Sequence, residues 1–334
     1  MKAIQFQPGR SIDDPDVALK VELPTPEPEG RDLLVKIEAV GLNPVDFKVR
    51  PAQDESAKTL GYDAAGVVEA VGDEVMYFQA GDPVFYAGDI TRPGSNAEYQ
   101  LVDERIVAMR PQSLDAAASA ALPLTGLTAW ESLFDRLKIN PEGNHSGKTI
   151  LIIGGAGGVG SMGIQLAKLA DLNVIATASR EDSIKWCKEL GADHVVNHRQ
   201  SIPEQLNSIG FPQVDYIANY NNTETYWQMM GEIIAPQGHI VLIVEPSHEL
   251  NLGDPYKLKS VSISWELMFT RSLFKTDDLN RQHEILSKIA ELVDTGQLKC
   301  TANEAWAPLT PENLVKAHKV LESGRSIGKI TISI

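Results

Sequence analysis

Thr149-Ile150-Leu151-Ile152-Ile153-Gly154-Gly155-Ala156-Gly157-Gly158-Val159-Gly160-Ser161-Met162-Gly163-Ile164-Gln165-Leu166-Ala167-Lys168-Leu169 is the stretch whose reading decides the fold. Its first residues are β-branched, unbroken and few, the pattern of a buried strand. Its last residues are apolar at helical spacing. The glycines between them permit a sharp turn and remove side chains where a pyrophosphate approaches the backbone. Gly155, Gly157 or Gly158, and Gly160 supply G-x-G-x-x-G-type spacing in more than one register, with Ala156 and Val159 between them. A strand before and a helix after form the context that gives this motif meaning. The free N–H groups at the helix start then face the anion, helped by a partial charge of about half a proton.

The 334-residue chain is too long for one ordinary core, so two domains are expected. No apolar run approaches the ~20 residues of a membrane span, and no membrane partner is expected. Met1-Lys2-Ala3-Ile4-Gln5-Phe6 reads as a strand without a signal-peptide pattern. Cys187 and Cys300 are too few for a disulfide framework or a four-thiolate zinc site, which points to a reducing cytoplasm. The net charge of −15 argues against nucleic acid as a partner.

Residues 1 to about 110 read as short strands, including 32–40, 66–72, 84–87 and 97–102, punctuated by proline and glycine clusters. That interval predicts a compact, barrel-like β domain. Near residue 113 the pattern changes. Ser113 reads as the N-cap of an alanine-rich helix that Pro123 stops, and 124–137 as a second helix. From Thr149 to about Trp265 strands and helices alternate, which predicts a parallel sheet with helices on both faces. A long amphipathic helix is expected over 276–294 and another over 310–322. The alternating strand 328–334 is expected to complete the N-terminal β domain.

Gly41-Leu42-Asn43-Pro44-Val45-Asp46, Leu60-Gly61-Tyr62-Asp63-Ala64-Ala65-Gly66 and Leu122-Pro123-Leu124-Thr125-Gly126-Leu127-Thr128 join the glycine stretch in a wider pattern. In this order they resemble the medium-chain dehydrogenase/reductase superfamily, and within it the zinc-free quinone oxidoreductases near the zinc-type alcohol dehydrogenase-like proteins. The resemblance implies an α/β protein: a GroES-like β-barrel-type domain (1–124, completed by 269–334), a Rossmann domain with a doubly wound parallel sheet (125–268), and a cleft between them. In zinc alcohol dehydrogenases the positions of Asn43, Tyr62 and Asp63 hold cysteine, histidine and glutamate. Asn and Tyr are poor ligands for an ion that prefers thiolate and imidazole, so no metal is expected.

Without a Lewis acid to stabilise an alkoxide, a quinone or an α,β-unsaturated ketone is an easier partner than a simple alcohol. By resemblance Tyr62 and Asn43 stand in the cleft as the candidate catalytic residues. The second strand of the Rossmann unit ends in Ser179-Arg180, with no carboxylate at its tip to meet a ribose hydroxyl. A hydroxyl and a guanidinium suit a 2′-phosphate, with Lys185 one turn on, so NADPH is the expected cofactor. By family position Thr125 faces the nicotinamide, Asn219 and the segment through Val244 line its other side, and Lys329 lies close to the cofactor. Asp46 and Asp63 read as structural carboxylates at turns. The edge strand 259–264 predicts a homodimer. A zinc-independent carbonyl or alcohol dehydrogenase, and a cofactor-binding sensor without turnover, remain alternatives to the NADPH-dependent quinone or enone reductase.

Overall fold

The computed structural model describes every residue, Met1–Ile334. The chain folds into two compact units, one made of Met1–Leu127 with Phe269–Ile334, the other of Thr128–Met268.

The discontinuous unit is built on a seven-stranded sheet whose central strand is Asp32–Gly41. One side of that strand pairs antiparallel with Lys329–Ser333, and the other with Asp63–Val71. The last strand of the chain therefore does complete the N-terminal β domain. Leu33, Val35, Ile37, Val40, Val68, Val84, Ile330 and Ile332 fill the core of this unit. A three-stranded sheet of Ala18–Glu22, Lys2–Phe6 and Lys58–Thr59 packs with it.

The second unit is a six-stranded sheet in which every neighbouring pair is parallel. Its spatial order is His194–Val196, Asn173–Thr177, Thr149–Ile153, Val214–Asn219, Ile234–Leu242, Ser262–Trp265. The Rossmann order reverses beside Thr149–Ile153, and ligands of open α/β sheets bind at such a reversal. All five residues of Thr149–Ile153 are buried, as a strand covered on both faces requires.

Several sequence-based expectations shift. Ser113 does not cap the alanine-rich helix. It bonds Asp294, while the Asp115 carboxylate accepts from Ala118 N and caps Ala116–Ser119. Pro123 opens the next helix instead of stopping the last, because a first-turn residue needs no N–H partner. That helix, Pro123–Trp130, runs on as a π-helix over Glu131–Arg136. The long C-terminal helix begins at Arg281, not near 276. Lys275 is left-handed at φ 48°, and Thr276 bonds Asp278, so these residues form a turn.

Candidate active site

Three strand ends gather the candidate residues of the discontinuous unit. Gly41 is in register with both Asp63 and Thr331, so the chain leaving Gly41 passes between the start of Asp63–Val71 and the start of Lys329–Ser333. Pro44 then sets the first turn of a short helix, Pro44–Lys48, with Asn43 at its N-cap. The Asp46 carboxylate turns back to accept the Asn43 N–H at 2.6 Å. The Asn43 side chain is thereby left for other partners. Its Nδ2 donates to Asp63 Oδ2 at 2.8 Å and to the Gly41 carbonyl at 3.3 Å, and its Oδ1 accepts from Lys329 Nζ at 2.5 Å.

Lys329 completes this buried knot. Its ammonium donates to the Leu42 carbonyl (2.7 Å), Asn43 Oδ1 (2.5 Å) and Asp63 Oδ2 (2.8 Å). An ammonium has three donors, and all three are spent here. The other Asp63 oxygen accepts Leu124 N–H at 2.7 Å. Lys329, Asp63 and Asn43 are exposed by 3%, 0% and 1%. Direct cofactor contact is the duty the resemblance gives Lys329; its donors are committed to holding Leu42, Asn43 and Asp63 together. Asn43 likewise has its amide engaged in bracing.

These donors do not fit zinc. Two of the three positions that hold metal ligands in zinc alcohol dehydrogenases, Asn43 and Asp63, bind a fixed ammonium instead. The third, Tyr62, is a phenol held far on its protonated side by burial and by the charges of Asp46 and Asp89. A borderline-soft dication prefers thiolate and imidazole and gains nothing from a neutral phenol and an amide. No group of three His, Cys, Asp or Glu side chains elsewhere is arranged to hold a metal.

Tyr62, a candidate catalytic residue of the sequence reading, is 4% exposed in this unit. Its ring meets the edge of Phe269, with centroids 5.3 Å apart. With Val49, Leu60, Ile90, Thr91 and Arg92 it lines a cavity of about 430 Å³. A phenol with a raised pKa donates a hydrogen bond at neutral pH and never competes as an anion. Thr125 belongs to the same unit; its hydroxyl donates to the carbonyls of Ala121 and Leu122 at 3.3 Å.

The parallel-sheet unit carries the dinucleotide features. Gly154–Gly157 turn the chain from Thr149–Ile153 into the helix Gly158–Leu169. A Cβ on Gly155 falls 2.8 Å from Ala176 Cβ, and one on Gly160 falls 2.2 Å from the Gly154 carbonyl, so both positions need glycine for packing. Gly157 differs: a Cβ there meets only the Gly154 carbonyl at 3.5 Å, an ordinary contact. The helix has no side-chain cap and no acidic residue in its first turn. Its N–H groups, those of Gly158, Val159 and Gly160, thus face an open cradle that suits a pyrophosphate. Asn219 is in register with Ile153, is fully buried, and leaves its Nδ2 without a partner. An orphan amide beside the glycine loop fits a cofactor that accepts from it. The Val244 carbonyl accepts from Thr223 Oγ1 at 2.5 Å.

Ser179 and Arg180 follow the strand Asn173–Thr177, with Arg180 at the N-cap of Glu181–Glu189. The neighbouring strand, His194–Val196, is followed by Asn197-His198-Arg199. Partial burial holds the His198 imidazole below its usual range, and the charges of Arg199 and Arg180 act in the same direction. Sequence reading takes His198 as a surface or loop residue beside a strand and passes over Arg199. The signal available was that neighbouring parallel strands end on the same side of the sheet. Lys185 is exposed and sits 3.8 Å from Glu189.

Comparison with known proteins agrees with this architecture. Residues 29–112 match the alcohol dehydrogenase GroES-like domain, and 158–284 the zinc-binding dehydrogenase model. A zinc-type alcohol dehydrogenase-like protein of Staphylococcus aureus (strain MSSA476) is 43% identical over 100% of both chains. A solved structure from Rhizobium etli CFN 42 that carries a zinc-dependent alcohol dehydrogenase label is 45% identical, with a TM-score of 0.94 over 100% of this chain and 98% of that one. The 2-methylene-furan-3-one reductase of Solanum lycopersicum is 32% identical over 99% of this chain and 79% of its own length. The chain belongs to the medium-chain dehydrogenase/reductase superfamily and is an oxidoreductase of that family.

Proposed function

We propose that this protein is a zinc-independent, NADPH-dependent reductase of enones or quinones. The observation that carries the reading is the Lys329 ammonium bonded to Asn43 and Asp63, two positions where zinc relatives place metal ligands. An acceptor that works without a Lewis acid needs a conjugated carbonyl, which takes hydride directly and asks only for a proton. The tomato relative is named for the reduction of such a compound.

NADPH when bound supplies the hydride. The chain's part is to bind, orient and protonate. Gly158, Val159 and Gly160 take the pyrophosphate on backbone N–H groups, Asn219 offers its free amide, and Arg180 with Arg199 grips the 2′-phosphate. Tyr62 donates its phenolic hydrogen bond to the substrate oxygen in the cavity it lines. Lys329, Asp63 and Asn43 keep the Tyr62 loop in place.

The test is oxidation of NADPH by a short enone and by a simple quinone, with NADH run in parallel. Turnover with NADPH that is much slower with NADH supports the reading; tight NADPH binding with no turnover favours the sensor alternative. Arg180→Ala and Arg199→Ala should each weaken NADPH binding about ten- to a hundredfold, roughly 1.4–2.8 kcal/mol, and leave NADH unchanged. Binding at a helix start alone, unaffected by either change, contradicts the 2′-phosphate assignment.

The working unit in this reading is a homodimer in a reducing cytoplasm. Ser262–Trp265 is the edge strand of the parallel sheet, with Trp265 exposed by 49%, and a second copy pairs along it. Both cysteines are free, and no helix is long and apolar enough to cross a membrane. A monomeric mass by light scattering opposes the dimer.

A further inference from the structure

The lining of the cavity beside Tyr62 runs against the charge of the whole chain. The protein carries a net charge of −15. Yet this cavity of about 430 Å³ is lined by two cations, Lys58 and Arg92, and by no carboxylate. Apolar side chains, among them Leu23, Val49, Leu60 and Ile90, share the lining with them. Backbone pairing fixes where Arg92 stands. The Gly94 and Ser95 N–H groups donate to the Thr59 and Gly61 carbonyls, each at 2.8 Å. Arg92, two residues before Gly94, therefore flanks the segment that leads into Tyr62.

The Arg92 guanidinium is held in place with donors to spare. Its Nη1 and Nη2 donate to the two Asp32 oxygens at 2.8 and 2.7 Å. This end-on grip fixes the plane of the group and uses two of its five N–H donors. The side-on edge, Nε–H with the second hydrogen of one Nη, has no partner. Asp32 does not line the Tyr62 cavity. With Asp89 and Asp103 it lines a neighbouring one of about 330 Å³, to which Arg92 and Thr91 also belong. Asp89 is engaged there by the Thr91 N–H and hydroxyl, each at 2.8 Å. Lys58 pairs at 2.8 Å with Glu55, again outside the lining. Each cation is thus matched by one carboxylate already, so the positive charge left over suits a monoanion. A carboxylate matches the side-on fork in plane and spacing, whereas a phosphate dianion asks for more charge than is spare.

We propose that the acceptor taken by this cavity carries a carboxylate on an apolar body, and that Arg92 is the residue that selects it. The inference rests on the reductase reading above and names its substrate class. The reducible carbonyl meets Tyr62, the apolar body lies against Leu23, Val49, Leu60 and Ile90, and the carboxylate accepts from the free edge of Arg92. A guanidinium stays protonated throughout the working pH range, so this selection does not titrate. Asp32 holds the fork in one orientation, which cuts the side-chain freedom lost on binding. The carboxylate takes no part in the reduction: hydride goes to the acceptor carbon and a proton to its oxygen, as in the parent reaction.

The experiment compares an aryl enone bearing a para-carboxylate with its methyl ester, which keeps the shape and removes the charge. With NADPH, kcat/KM in the wild type should favour the acid at least about tenfold, the difference lying in KM. Arg92→Lys keeps a cation for Asp32 but has no fork, and should cut the acid-to-ester ratio to about threefold or less. Arg92→Met combined with Asp32→Asn leaves no stranded charge and should bring the ratio to about one. Equal kcat/KM for acid and ester in the wild type overturns the proposal, and so does a preference that both variants leave in place. A phosphonate analogue turned over better than the acid overturns the choice of a carboxylate. Binding of the acid and the ester is read separately by ligand-observed NMR, with and without NADPH. Turnover of neither compound, together with binding of the acid that is lost in the Arg92 variants, contradicts the reductase reading and leaves the anion assignment standing. Turnover of both alike, with no preference in binding, leaves the reductase reading standing and removes this one.

Discussion

Lys329 Nζ stands 2.8 Å from Asp63 Oδ2, and the two residues are sealed from solvent though 266 positions apart in the chain. Removing one partner of a buried pair strands the other charge, at a cost of about 3–5 kcal/mol. Lys329→Met should therefore lower unfolding free energy by about that amount in urea titration. The double change Lys329→Met with Asp63→Asn should recover a large part of the loss, since no buried charge is left unpaired. Equal destabilisation of the single and double variants contradicts the pairing.

The glycine loop separates two roles that are often merged. Gly157→Ala should leave stability within about 0.5 kcal/mol of wild type, because its Cβ meets only an ordinary contact at 3.5 Å. It should nevertheless weaken NADPH binding at least about tenfold, because the methyl stands where the phosphates approach the backbone. Gly160→Ala places its methyl 2.2 Å from the Gly154 carbonyl and should cost both stability and binding. Thermal melts beside calorimetric titration distinguish the two. Unchanged NADPH affinity in Gly157→Ala contradicts the cradle.

His318 gives a pH dependence with a definite sign. It stacks on Phe6 with ring centroids 4.6 Å apart, and both its nitrogens lack partners. Burial, helped by Arg50, depresses its pKa to about 3. The unfolded chain binds this proton near pH 6.5, and the folded chain does not until about pH 3. Stability from this group is thus complete above pH 6.5 and is lost as pH falls, by about 1.4 kcal/mol per unit at the steepest. In His318→Leu, unfolding free energy should depend less on pH between 6.5 and 4 than in the wild type; identical slopes oppose the assignment.

What the sequence made legible was local. Ile150–Ile153 with its glycines, the missing carboxylate after Asn173–Thr177, and the alternating final strand are patterns within a few neighbouring residues. The knot was not legible, because Lys329 meets Asn43 across 286 positions and no short motif records that meeting. Position in the family pattern suggested a cofactor contact for Lys329, and only the three-strand register reveals where its ammonium ends. Arg199 escaped notice for a similar reason: it follows the strand that pairs in parallel with the one before Arg180, a neighbourhood made by the sheet and not by the chain. Asp46 looked like a turn carboxylate, and it is one, accepting the Asn43 N–H at 2.6 Å.

The most direct test of the central claim uses NADPH carrying deuterium at the transferable C4 position, a short enone, and protein dialysed against a strong chelator. The product is analysed by NMR. The account predicts one deuterium at the β-carbon of the saturated ketone, formed at a rate the chelator treatment leaves unchanged. Product formation that is abolished by chelator and restored by zinc would show that Asn43, Tyr62 and Asp63 have been misjudged, and no deuterium in the product would remove the hydride transfer itself.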